Sequence, residues 1–151
     1  MATSQVSSDL VWEIVRGNNS FLVKRKAGGG VQLSRDPLNL TNKNSRKWAG
    51  FVNDKAIGVV PAEKGGVTVL SKKPSASHQP AKGITQTTYN GGKSTRKTYV
   101  AVANQAAKHG YRADLREAAV ARASALRHSY KDTKPTPEPK LRGNKAKKAA
   151  E

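Results

Sequence analysis

Near the C-terminal end, Tyr111-Arg112-Ala113-Asp114-Leu115-Arg116-Glu117-Ala118-Ala119-Val120-Ala121-Arg122-Ala123-Ser124-Ala125-Leu126-Arg127-His128-Ser129-Tyr130 limits what the chain can become. Its alanines and leucines make it helical. Asp114 with Glu117 three residues on resembles a capping box, which predicts a helix start near Leu115. At about 100° per residue, Leu115, Ala119 and Leu126 form one narrow apolar stripe. Arg116, Arg127 and Lys131 share a neighbouring face, and Arg122 borders the stripe. So thin a stripe predicts a helix anchored largely from outside the protein. The arginines need a polyanion or open water beside them.

The same imbalance runs through the whole chain. Lys and Arg number 28 against 10 Asp and Glu, a net charge of +18. Only 27 of 151 residues are Leu, Ile, Val or Phe, a small core for so much self-repulsion. The cations are spread over loops and helices. Spread charge with few aromatics suits a protein lying along folded RNA, whereas a DNA reader more usually concentrates its charge on one helix or stripe. With no cysteine, disulfides, thiolate metal sites and a cysteine nucleophile are excluded.

Read in order, the chain predicts an α+β protein. Residues 1–7 read as loose. Ser8 or Asp9 caps a short helix whose Leu10, Val11, Ile14 and Val15 share a core-facing side, with Trp12 added to the core and Gly17 as a stop. Leu10 to Val15 is too short to span a membrane, and no basic segment precedes it as in a signal peptide. Residues 20–25 and 31–33 read as strands around a flexible Gly28-Gly29-Gly30 loop, and residues 34–50 as a polar connection. Strands are also expected at Phe51-Val52, Ile57 to Val60 and Val67 to Leu70, with a turn at Gly65-Gly66. These give a small, mostly antiparallel sheet packed by the N-terminal helix, an RNA-docking module over 8–73. An extended basic linker without a core of its own follows over 74–93. A basic helical extension over 94–131 begins with a helix from Ser94 to Lys108, in which Tyr99, Val102, Ala103 and Ala106 share a face. The basic, Pro-rich tail, 132–151, is disordered unless RNA orders it.

Few residues are arranged for chemistry. Gly92-Lys93-Ser94 invites comparison with a phosphate-binding loop, but the required earlier glycine is Thr87 and no hydrophobic strand is expected before it. His78, His109 and His128 lack carboxylates at ligand spacing, and no carboxylate pair has an acid–base setting. The chain therefore reads as no enzyme, without cofactor or metal. Basic residues near Trp48 admit two readings. Trp48 stacks on a base, as Tyr89 also can, or it packs into the core at the start of a strand.

Several motifs occur in a specific order. They are Leu10-Val11-Trp12 with Arg16, Asn19-Ser20-Phe21-Leu22-Val23-Lys24-Arg25, Pro37-Leu38-Asn39-Leu40 with Asn44-Ser45, the segment from Gly58-Val59 to Val69, and Tyr111-Arg112 through Ala125. In these the chain resembles the eukaryote-specific ribosomal protein L28e family over residues 8–130. Family members carry proline where this chain has Ala113, and the glycine loop and tail diverge. The resemblance implies a non-catalytic constituent of the cytosolic large (60S) ribosomal subunit that passes through the nucleolus during assembly. The implied partners are large-subunit ribosomal RNA and neighbouring large-subunit ribosomal proteins, with no membrane and no small-molecule substrate. A nucleolar 60S assembly factor with a similar N-terminal module is the alternative, and a chromatin-binding basic protein a more distant one.

The residues expected to bind RNA follow the basic clusters. They are Lys24, Arg25 and Lys26; Lys43, Arg46, Lys47 and Trp48; Lys72 and Lys73; Lys93, Arg96 and Lys97; and Arg112, Arg116, Arg122, Arg127 and Lys131.

Overall fold

The computed structural model describes residues 6–76, 79–137, 140 and 142–143. Much of the expected basic tail, His78 and the N-terminal residues 1–5 lie outside the described residues.

Helix α1 (Ser8–Val15) is capped by Ser7, one residue before the expected cap, whose hydroxyl accepts the amide of Leu10 at 3.2 Å. The expected core-facing side is corrected by the packing. Trp12 is buried against Ala49 and Val52, with Val11 and Val15 beside it, whereas Leu10 and Ile14 are exposed. Periodicity showed that α1 is apolar but not which side is covered, because apolar residues lie on both.

Strands β1 (Leu22–Lys24) and β2 (Gln32–Ser34) pair antiparallel, with Val23 opposite Leu33. The triple glycine joins them through a one-turn helix, α2 (Ala27–Gly30), in which Gly29 and Gly30 have φ of 82° and 75°. Glycine enters this left-handed region without steric penalty. The polar connection after β2 is tied by its own side chains. The buried carboxylate of Asp36 accepts the amides of Leu38 and Phe51, each at 2.9 Å. Asn39, fully buried, donates to the Lys43 carbonyl at 2.9 Å and accepts the Thr41 amide. Phe51-Val52, expected as a strand, is a turn. Its backbone is taken by Asp36, Val52 packs under Trp12, and the Phe51 ring meets Phe21 at 5.5 Å.

The main sheet is antiparallel throughout, in the order β3 (Ile57–Pro61), β4 (Val67–Lys72) and β5 (Ile84–Tyr89). Strand β5 lies inside the segment expected as a linker. It pairs with β4 along its length, from Val67 opposite Tyr89 to Lys72 opposite Ile84. Its sequence Ile-Thr-Gln-Thr-Thr-Tyr alternates and is rich in β-branched residues, a strand signal carried by threonine instead of valine.

Helices α3 (Thr95–Ala107) and α4 (Arg116–Ser129) cover one face of this sheet. Successive strand residues point to opposite faces. Val59, Val69 and Thr87 therefore form a row beneath the helices. One core joins Leu40, Ile57, Val59, Val67 and Val69 of the sheet side to Val102, Ala106, Leu115, Ala119 and Ala123 of the helices. The helices thus complete the core of the sheet they follow. On the opposite face Leu38 packs with Ala56 and Leu70, and the Pro37-Leu38 backbone crosses directly over Gly58.

Candidate nucleic-acid interface

The cations divide by what their charged ends meet. One group is turned into the protein. Arg122, projecting from α4, donates Nε–H to the Val59 carbonyl at 2.9 Å and Nη1–H to the Leu40 carbonyl at 3.2 Å and Asn42 Oδ1 at 3.1 Å. Burial pushes its pKa down, the direction expected when no carboxylate answers the charge. This guanidinium ties α4 to strand β3 and to the loop before it. Asn42 sits in left-handed backbone with φ 57°, a conformation asparagine tolerates.

Arg127 acts nearer the C-terminal end of α4, donating Nη2–H to the carbonyls of Gly91 and Lys93 in the turn before α3. Lys72, at the end of β4, points its ammonium at the carbonyls of Gly50, Phe51 and Asn53, the last at 2.8 Å. Burial lowers the Lys72 pKa, with Asp54 and Asp36 opposing. Arg46 links the 44–53 loop to α1 through Asp9 Oδ1 at 2.8 Å and Ser8 Oγ at 2.7 Å, and also meets Asn53.

Arg112 forms a bidentate pair with Asp114, both contacts at 2.8 Å, and reaches the Lys55 carbonyl. The hydrogen bond from Arg112 holds the Asp114 carboxyl below its ordinary value of 3.8, with burial opposing. The same bond raises the Arg112 pKa, again against burial. Next to it, the Tyr111 hydroxyl closes the end of the β3–β4 ladder. It lies 2.5 Å from the Lys72 carbonyl and accepts the Ala56 amide at 3.2 Å. Burial raises the Tyr111 pKa against these backbone bonds, so the phenol keeps the proton it donates.

The Asp114 pair carries an acid signature. A carboxylate depressed on folding adds stability above its unfolded pKa, and that stability is lost as pH falls through the folded value. Asp114→Asn is expected to cost less than about 1 kcal/mol at pH 7, because the pair is partly exposed. Its stability deficit should shrink when urea unfolding is repeated below pH 3.8.

The second group points to solvent. Lys24, Arg25 and Lys26 end the small hairpin. Lys43 and Lys47 stand on the loop, with the Lys47 ammonium 4.9 Å from the Trp48 ring centroid. Trp48 itself is partly buried against the main core, in a turn and not at a strand start. Lys73 follows β4, and Lys131 follows α4. Lys93, Arg96 and Lys97 crowd the N-terminal end of α3, where no acidic residue occupies the first turn and Ser94 makes no side-chain cap. The unpaired amides of that turn and its cations together favour an anion. Lys93 also lies 4.8 Å over Tyr89, whose pKa burial raises. Arg116 is exposed at the start of α4.

The expected RNA-binding residues therefore do not form one patch. The exposed members stand on several separate loops and helix ends, whereas Arg46, Lys72, Arg112, Arg122 and Arg127 each direct donors to protein acceptors, with Nη1 of Arg127 buried without one. Arg35, Lys55, Lys64, Lys82 and Lys108 are exposed cations that no cluster or motif singled out.

A strand, β5, does precede Gly92-Lys93-Ser94, but it is threonine-rich and not the hydrophobic strand such a loop requires. Thr87 still stands in place of the first glycine, inside that strand and beneath α3, where it accepts from Gln105. Among the described residues, no three of His, Asp and Glu converge as metal ligands, and no helix is long and apolar enough to cross a membrane.

Comparison with known proteins covers most of the chain. The profile of the Ribosomal L28e protein family matches residues 10–129. A fission yeast (Schizosaccharomyces pombe) protein named large ribosomal subunit protein eL28 is 42% identical over 130 residues, spanning 85% of this chain and 96% of its own length. The protein of that name from Dictyostelium discoideum is 37% identical over 143 residues, 95% of this chain and 99% of its own. The one from Caenorhabditis elegans is 35% identical over 121 residues, 80% and 88% of the two chains.

Proposed function

The chain belongs to the Ribosomal L28e protein family, and from that membership we propose that it is a structural constituent of the cytosolic large (60S) ribosomal subunit. It binds and stabilises large-subunit ribosomal RNA and touches neighbouring large-subunit proteins. It carries no catalysis. The observation that carries this reading is the near end-to-end likeness to proteins named for the large ribosomal subunit.

The physical mechanism is division of labour among the cations. The inward group holds helices, loops and sheet together without needing phosphate. The outward group meets RNA from several sides at once. Each phosphate neutralised releases condensed counterions, so affinity accumulates over many contacts and weakens with salt. Such contacts fix position and carry no sequence information. The end of α3 adds backbone amides to Lys93, Arg96 and Lys97 and supplies a directional phosphate contact.

The full-length tagged protein is expected to pass through the nucleolus and then co-sediment with translating polysomes. Presence in nucleolar precursors with absence from polysomes would favour an assembly factor instead.

A further inference from the structure

We propose that the outer side of α1 is a protein-docking stripe, covered in the assembled particle by an apolar segment of a neighbouring protein that also carries a lysine or arginine. The inference rests on the ribosomal reading above and adds a partner chemistry for one face.

Leu10 and Ile14 lie one turn apart on this side, 54% and 71% exposed. They point away from Trp12, which holds the helix to Ala49 and Val52. Val11 and Val15 continue the apolar surface between the two sides. Five of the eight residues of α1 are thus Leu, Val, Trp or Ile. A helix apolar on most of its circumference is normally covered all round. Here the protein covers one side only.

Charge selects the occupant. Residues 1–23 contain Asp9 and Glu13 against Arg16 alone, in a chain of net charge +18. The Asp9 carboxylate is paired with Arg46 and the Glu13 carboxylate with Arg16, so the surface beside the stripe carries no net positive charge to draw phosphate. Leu10 and Ile14 offer RNA neither a hydrogen bond nor an aromatic face. A protein segment with apolar side chains fits the stripe. A cation on it reaches Glu13, whose present partner, Arg16, is itself exposed and exchanges at little cost.

The test uses large subunits purified from cells expressing the tagged full-length chain with a photo-crosslinking amino acid in place of Ile14. Cross-links should map to a peptide of a neighbouring ribosomal protein that contains apolar residues and Lys or Arg. Cross-links to ribosomal RNA or to a second copy of this chain, or no cross-link, would overturn the proposal. In parallel, Leu10→Ser/Ile14→Ser should melt like the parent protein, since both side chains are exposed. It should be lost from salt-washed subunits on the order of tenfold more readily. Unchanged retention would also overturn the proposal. Absence of the tagged parent chain from large subunits would count instead against the ribosomal reading.

Discussion

Arg122→Ala is expected to destabilise the RNA-free protein by about 3 kcal/mol, since hydrogen bonds to charged groups contribute roughly 1.5–3 kcal/mol each and the desolvation of the guanidinium offsets part of that sum. The substitution strips donors from the carbonyls of Val59 and Leu40 and from Asn42. For a chain of this size the melting temperature should fall by about 10 °C. Arg122→Lys should recover less than half of the loss, because one ammonium cannot reproduce the planar fork that reaches three acceptors. Arg116→Ala, an exposed arginine on the same helix, should stay within about 0.5 kcal/mol of the parent. Thermal unfolding of the three variants without RNA measures this directly. Equal stability of Arg122→Ala and Arg116→Ala would mean that Arg122 does not hold α4 to the sheet.

Gly58→Ala should be comparably severe, at about 3 kcal/mol or more, for the opposite reason: too much volume. A methyl group at Gly58 would overlap the Pro37 carbonyl oxygen and lie 2.9 Å from the Pro37 carbonyl carbon and 3.0 Å from Leu38 Cα. All three atoms are backbone, so relief requires moving the loop that also carries the buried Asp36 and Asn39. Gly92→Ala adds the same methyl group where nothing lies within 4 Å, and it should be neutral. Urea unfolding of the pair separates the clash from any general cost of losing glycine. A neutral Gly58→Ala would mean that the 37–38 segment does not press on β3.

The strands at β3 and β4 were legible because valine and isoleucine dominate them, and both helices because alanine does. Strand β5 was not, because its strand-forming residues are mostly threonine and read as linker composition. The inner side of α1 was hidden by apolar residues on both sides. At the site, the density of Lys and Arg was plain, but sequence does not say which cations face inward. That depends on which carbonyls the fold leaves short of donors. Val59 and Leu40 are 63 and 82 residues from Arg122, a separation no local pattern encodes. Only Arg122 carried a hint, since it borders the apolar stripe. The thin stripe on α4 misled in the other direction. Leu115, Ala119 and Ala123 are buried together, and small side chains let α4 approach the sheet closely enough for Arg122 to reach Val59.

The division between inward and outward cations is tested most directly by the salt dependence of binding to a structured large-subunit RNA fragment, measured on the full-length protein below its melting range. Replacing Arg96, Lys97 and Arg116 together by alanine should lower the slope of log Kobs against log salt by about 2–3, since each lost phosphate contact removes roughly 0.7–0.9. Arg122→Met, which keeps the stem and removes the charge, should leave the slope unchanged. A slope that falls with Arg122→Met and stays with the triple variant would contradict the account.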